Sequence, residues 1–152
     1  MSKMKLPKKL PITRIEDYHT HYLGEVNDGR LFWGYETFAF TKPYSEIQSE
    51  DWKKFRTDYA VLHIFDKKGN YLESKYSSGN LTNSTGDTSN KLEELMAGLG
   101  FIQYRDIAIK LFQTTINGIV FGLIPDQKTE SIILEPSSTI SFQEPWDGEY
   151  YT

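Results

Sequence analysis

Three histidines are the side chains of this sequence best suited to hold a metal ion or to transfer a proton. His19 and His21 are two residues apart, so a strand through them would place both imidazoles on one face, next to Asp17. Hydrolases built on such a pair use a barrel of about 250 residues with further histidine and aspartate ligands. We therefore expect no metal site, and a metal-dependent enzyme using His19 and His21 is kept as a second alternative function.

The third histidine, His63, lies between Leu62 and Ile64 in an apolar stretch. A general base is conceivable there, but a partly buried structural histidine is the expected role. The chain has no cysteine, no serine or threonine in a nucleophile elbow, and no glycine-rich phosphate loop before a helix. The sequence predicts no catalytic residue, no cofactor and no enzyme activity.

The C-terminal tail, Glu144–Thr152, combines aromatic and acidic side chains. Tryptophan and tyrosine are over-represented at interface hot spots, so we interpret this tail as a partner-binding segment. Its candidate residues are Trp146, Asp147, Glu149, Tyr150 and Tyr151. The alternative is that Trp146 packs back onto the core and leaves the two acids in water.

Charge is distributed unevenly along the chain. The formal net charge is -4, the first fourteen residues carry five cations and no acid, and the last twenty-seven carry six acids against Lys128 alone. A mildly acidic chain has no overall electrostatic reason to bind nucleic acid or anionic membrane directly. The expected partner is a protein, and the expected location is the cytoplasm, because there is no signal peptide, no membrane-length apolar run and no disulfide.

One stretch, Arg30–Phe40, has five aromatic residues in eleven and follows the turn signal Asn27-Asp28-Gly29. Large apolar side chains occur at both parities, so a strand here would be apolar on both faces. Such a strand is predicted to lie in the middle of a sheet with a layer covering each side. It could also bury one face in a homodimer.

The remaining pattern predicts an α+β fold. Leu92, Leu95, Met96 and Leu99 follow the spacing of a buried helical stripe over 89–99, ended by Gly100. Around it we expect about seven or eight strands in a largely antiparallel sheet, with this amphipathic helix packed on it. Residues 105–115 read as one of these strands, 49–55 as a short helix, and 77–90 as a mobile polar loop. Residues 1–17 are predicted to be a basic, flexible arm, and 18–152 a single domain.

Three stretches together resemble a known family. They are Arg30–Tyr35, Val61–Asp66 and Glu144–Tyr150, and the resemblance covers most of the chain from Tyr18 onward. They are similar to the HycA-like group of small bacterial proteins, known as formate hydrogenlyase regulatory proteins. The resemblance implies a cytoplasmic, non-enzymatic regulator that opposes a transcriptional activator. None of the stretches is a motif with known chemistry, so no catalytic residue is carried over.

Two binding functions are therefore open beside the enzyme. The first is a protein-binding module that regulates transcription. The alternative is an immunity protein that neutralises a toxin, since small acidic α+β domains serve that purpose in bacteria. The enzyme hypothesis requires His19, His21 and His63 to converge.

Overall fold

The computed structural model describes residues 6–15, 20–40, 56–80, 88–136 and 140–151. Within these ranges the chain forms eleven strands and one helix. They are β1 (Leu10–Ile12), β2 (Tyr22–Val26), β3 (Leu31–Phe40), β4 (Arg56–Phe65), β5 (Tyr71–Asn80), α1 (Thr88–Ala97), β6 (Ile102–Tyr104), β7 (Ile107–Ile109), β8 (Gln113–Ile116), β9 (Ile119–Asp126), β10 (Ser131–Glu135) and β11 (Ser141–Gln143).

A five-stranded antiparallel sheet, in the order β5-β4-β3-β2-β6, forms the centre of the fold. The aromatic strand β3 lies in its middle, as its two apolar faces predicted. Trp33 and Tyr35 belong to a core cluster shared with a second sheet, and Phe32 belongs to a cluster shared with α1. Both faces of β3 are therefore covered.

The second sheet has four antiparallel strands in the order β11-β10-β9-β8. An Asn117-Gly118 turn joins β8 to β9, with φ values of 53° and 79° at these two residues. Positive φ at both positions is what a tight hairpin turn requires. This sheet packs on the Trp33 side of the five-stranded sheet, and we call the cluster between them the sandwich core.

Strands β1 and β7 pair as a separate antiparallel ribbon. β1 falls within the stretch expected to be a flexible arm, and its Leu10 and Ile12 are buried in the sandwich core. Pro11 is compatible with this strand because β1 has a single partner, so a missing N–H can face away from the ladder.

Helix α1 covers the other face of the five-stranded sheet and confirms the predicted helix to within two residues. Leu92, Met96 and Leu99 are buried there, and Gly100 follows with φ +78°. We call this second cluster the helix-side core. No helix among the described residues is long and apolar enough to cross a membrane.

The expectation of one sheet with seven or eight strands was wrong. Eleven strands occur in three sheets within the described ranges. One cause lies in residues 105–115, predicted as a single strand, which divide into β7 and β8. Lys110 donates its N–H to Gly69 O, and Phe112 O accepts from Leu123 N, so the segment leaves the ribbon and turns into the second sheet.

Two further predictions fall wholly or partly outside the described residues. The short helix expected at 49–55 lies outside them. The polar loop expected at 77–90 divides, because 77–80 belong to β5, 88–90 belong to α1, and 81–87 lie outside the description.

Candidate functional site

The C-terminal tail, residues 144–151, folds back over β1 and β11. Thr13 donates its N–H to Gly148 O at 2.9 Å, which fixes the tail against the end of β1. Tyr151 exchanges two backbone hydrogen bonds with Ser141, at 2.7 and 2.9 Å. The tail therefore closes the outer edge of the four-stranded sheet.

Two backbone positions allow this path. Trp146 has φ +59° and Gly148 has φ +95°, both in the left-handed region that side chains disfavour. A Cβ added at Gly148 would collide with Thr13 Oγ1 and lie 3.1 Å from Thr13 N. The tail thus reaches β1 closely only because residue 148 is a glycine.

The five predicted partner-binding residues divide into two groups. Trp146 and Tyr150 are partly buried against the sandwich core, and the Tyr150 ring lies 6.3 Å from that of Phe142. Asp147, Glu149 and Tyr151 are exposed, and Asp147 Oδ1 accepts the N–H of Glu149 at 3.1 Å. This geometry matches the alternative stated from sequence, in which Trp146 packs back and the acids remain in water.

The docked tail and the N-terminal arm together line an open groove of about 440 Å³. Leu6 and Pro7 form one side, and Glu144, Pro145 and Trp146 form the other. Leu6 is 44% exposed, so the groove offers apolar surface to solvent. Two exposed acidic residues, Asp147 and Glu149, follow on the same tail.

His21 takes part in a different cluster. Its backbone O accepts from Arg14 Nε at 2.9 Å, and its ring lies against those of Tyr22 and Tyr104. The Arg14 guanidinium lies 4.5 Å from the Tyr104 ring centroid, and Arg14 N donates to Asp106 Oδ1 at 2.8 Å. This cluster fastens the segment before β2 to β6. His19 lies outside the described residues.

His63 is fully buried in the sandwich core, on the β4 face opposite α1. Its Nε2 lies 2.9 Å from Tyr35 Oη, and its Nδ1 lies 2.6 Å from Ser74 Oγ. Ser74 Oγ in turn lies 2.7 Å from Tyr71 Oη. Both ring nitrogens are therefore engaged, as a buried polar group requires, and neither is free to ligate a metal.

The proton arrangement in this network follows from Tyr35. Among the described residues, His63 Nε2 is the only hydrogen-bond partner of its buried hydroxyl. The Tyr35 hydroxyl can donate a hydrogen bond only if Nε2 accepts it. The neutral ring then carries its proton on Nδ1, and Nδ1 donates to Ser74 Oγ. In this tautomer the histidine has no lone pair directed at Ser74 and cannot take its proton.

Burial also sets the protonation of the network. Loss of hydration lowers the pKa of His63 to about 3, so the ring is neutral at physiological pH. Burial, with a smaller contribution from the Glu135 carboxylate, raises the pKa of Tyr35 well above its usual value. The network is a set of neutral, mutually satisfied groups.

The sequence predicted a partly buried structural histidine at position 63, whereas the structure buries it fully, and its hydrogen-bond partners were not predicted. Counting back from the Phe65↔Tyr71 pair would place Glu73 opposite His63. Leu72 is an extra residue in β5, and this β-bulge shifts the register so that Ser74 pairs with His63. The hairpin turn between β4 and β5 can be recognised in the sequence. The extra residue of a bulge does not show in the pattern of side chains along the strands, so the sequence does not reveal which residue pairs with His63.

His21 and the buried His63 lie in separate surroundings. No group of three or more histidine, aspartate or glutamate side chains with metal-site geometry occurs within the described part of the chain. No protein-family model, curated protein or solved structure matches this chain.

Proposed function

We propose that the protein is a non-catalytic binding module that uses the groove between its N-terminal arm and its C-terminal tail to bind one protein partner. The observation that carries the proposal is the groove itself. Leu6, Pro7, Pro145 and Trp146 supply apolar surface, and Glu144 supplies a charge at the rim. An apolar centre with a polar rim is the usual anatomy of a protein interface.

The charge of the tail indicates the partner's chemistry. Glu144, Asp147 and Glu149 are exposed on a short segment, so a partner with a basic surface would be attracted to it. The partner we propose is a transcriptional activator, which the module would oppose, as the resemblance to the HycA-like group implies. A DNA-binding protein presents the cationic surface that such a tail would recognise.

An immunity protein that neutralises a toxin is the alternative function. The same acidic tail would suit a basic toxin equally well. A toxin encoded beside this protein would favour it, whereas neighbouring hydrogenase or formate genes would favour regulation. The identity of the captured partner separates the two.

The non-catalytic part of the proposal is supported by the His63 network. A general base needs a lone pair directed at the group that it deprotonates. In the tautomer that satisfies Tyr35, the only ring lone pair, on Nε2, already accepts the hydrogen bond of the Tyr35 hydroxyl. The network is also buried between two sheets.

The experiment is an affinity pull-down from the native host with mass spectrometry of the bound proteins. A double variant, Glu144→Lys with Glu149→Lys, should lose the partner found with the wild-type protein, because it reverses the charge of Glu144 at the rim and of Glu149 on the same tail. Both side chains are exposed, so the fold should be unaffected.

The matched control is Glu73→Lys with Glu94→Lys, which changes the net charge by the same amount at exposed positions on β5 and α1. It should retain the partner. Equal losses in both double variants would mean that only net charge matters, and a wild-type protein that captures nothing at near-stoichiometric level would remove the proposal.

A further inference from the structure

Within the described residues, strand β6 is one outer edge of the five-stranded sheet, with β2 as its single neighbour. Phe101 O accepts from Asn27 N at 2.9 Å, and Arg105 N donates to Leu23 O at 3.0 Å. Antiparallel ladders alternate, so the odd-numbered residues of this segment bond inward to β2. The N–H and C=O groups of Ile102 and Tyr104 therefore point away from the sheet.

The side chains along this edge are unusually apolar for an open edge. Phe101 is 86% exposed, and Tyr104 is 41% exposed. Natural sheets protect open edges with charge, proline or bulges. The opposite edge follows that rule, because β5 has Lys75 near its middle and a bulge at Leu72. The three residues of β6 include no charge, proline or bulge.

We propose that β6 pairs with β6 of a second copy across a two-fold axis, extending the sheet through the dimer. An antiparallel register centred on Gln103 places Ile102 opposite the second copy's Tyr104. Both residues have outward-facing backbone groups, so the two symmetry-related pairs form four hydrogen bonds. Ile102 and Tyr104 have the same parity, so each isoleucine meets a tyrosine on one face of the extended sheet.

The same register brings complementary groups together on the other face. Phe101 falls opposite the second copy's Arg105, at the separation of about 4.5 Å between Cα atoms that non-hydrogen-bonded pairs have. A guanidinium over an aromatic ring is a favourable pair. Arg105 Nη1 already lies 3.5 Å from Glu25 Oε2, so its charge is held on this edge before pairing.

The second copy is chosen as the occupant because the edge is self-complementary in this one register. Each apolar or aromatic side chain meets a suitable partner from the same five residues, and no like charges oppose each other. The inference goes beyond the proposed function, since the groove of residues 6–7 and 144–146 does not include β6. The contact is short, so we expect a weak dimer.

The test is sedimentation equilibrium of the full chain from about 10 µM to about 1 mM, the range in which short interfaces associate. Amide hydrogen exchange of Ile102 and Tyr104 is followed over the same range. The expected result is a monomer–dimer equilibrium in which exchange at these two amides slows as concentration rises. A wild-type protein that stays monomeric at about 1 mM overturns the proposal.

Two substitutions at one exposed position test the register. Phe101→Lys would place a cation opposite the second copy's Arg105 and should weaken association at least about tenfold. Phe101→Glu would place an anion there and should dimerise at least as well as wild type. If both variants lose association equally, the contact lacks the two-fold register and the proposal fails.

Leu72→Lys is the matched control, because Leu72 is 50% exposed on the opposite edge. It should associate as wild type does. A loss as large as that of Phe101→Lys would place the contact at β5 and overturn the assignment to β6.

Discussion

The two faces of the five-stranded sheet are built from different kinds of side chain. The face toward the four-stranded sheet carries Trp33, Tyr35, Tyr59 and the buried His63. The face toward α1 carries Phe32, Leu62 and Ile64 together with two small residues, Ala60 and Gly34. The helix comes close to the sheet at Gly34, where there is no side chain.

Gly34 shows how close that approach is. A Cβ at this position would lie 3.1 Å from Leu92 Cδ1 and 3.5 Å from Met96 Sδ. Its neighbour on the opposite face, Trp33, has a ring 6.4 Å from that of Phe142 in the second sheet. Adjacent residues of one strand thus serve opposite requirements, a small residue for the helix and a large ring for the sheet.

The largest effect is expected on the sandwich side. Trp33→Ala removes a fully buried indole from between two sheets and should lower the free energy of unfolding by about 4 kcal/mol. Denaturant unfolding measures this loss. Met96→Ala, at the edge of the helix-side core, should cost about 2 kcal/mol. Equal losses would contradict the difference between the two faces.

The next effect tests the close approach of the helix. Gly34→Val adds a branched side chain against Leu92 and should cost about 2 kcal/mol through overpacking. The double variant Gly34→Val with Leu92→Ala should be destabilised by less than the sum of the two single changes, because the smaller residue makes room for the valine. Thermal unfolding of the four proteins in this cycle gives the coupling, and strict additivity would show that Gly34 is not the point of contact.

His63 is expected to have the smallest effect on stability at neutral pH. This effect increases as the pH falls. The pKa of His63 is about 3 in the folded protein and 6.5 in the unfolded chain, so below pH 6.5 the unfolded state binds a proton that the folded state does not. The free energy of unfolding therefore decreases as the pH falls from 6.5 to about 3. At pH 5 the protein should be about 2 kcal/mol less stable than at pH 7 because of this histidine.

His63→Gln keeps polar groups beside Tyr35 and Ser74 but removes the titration. Its stability should therefore change less between pH 7 and pH 5 than that of the wild type, by about 2 kcal/mol. Met96→Ala, on the face without a buried histidine, should follow the wild-type pH profile. Identical profiles for wild type and His63→Gln would show that the ring is already protonated or is not buried.

The local features of this protein could be predicted from its amino-acid sequence. Large apolar side chains at both parities of residues 30–40 predicted a central strand covered on both faces, and the structure confirms it. The spacing of Leu92, Met96 and Leu99 predicted α1, and Gly100 with its positive φ follows it. These features depend on neighbours within a few residues, where side-chain direction and turn conformation are decided.

Features that depend on contacts between distant residues became visible only in the folded molecule. The division into three sheets depends on two backbone hydrogen bonds, from Lys110 N to Gly69 O and from Leu123 N to Phe112 O. No local sequence pattern predicts them. The fit of the tail against β1 requires Gly148 to meet Thr13 across the molecule.

The bulge at Leu72 is the clearest case of this kind, because one extra residue decides which side chain meets the buried histidine. Without it, a carboxylate would face His63; with it, the hydroxyl of Ser74 does. The register of a strand pair is set by the side chains that must be buried on each face of the sheet. These burial requirements arise from the packing of the assembled sheets, so the bulge follows from tertiary contacts.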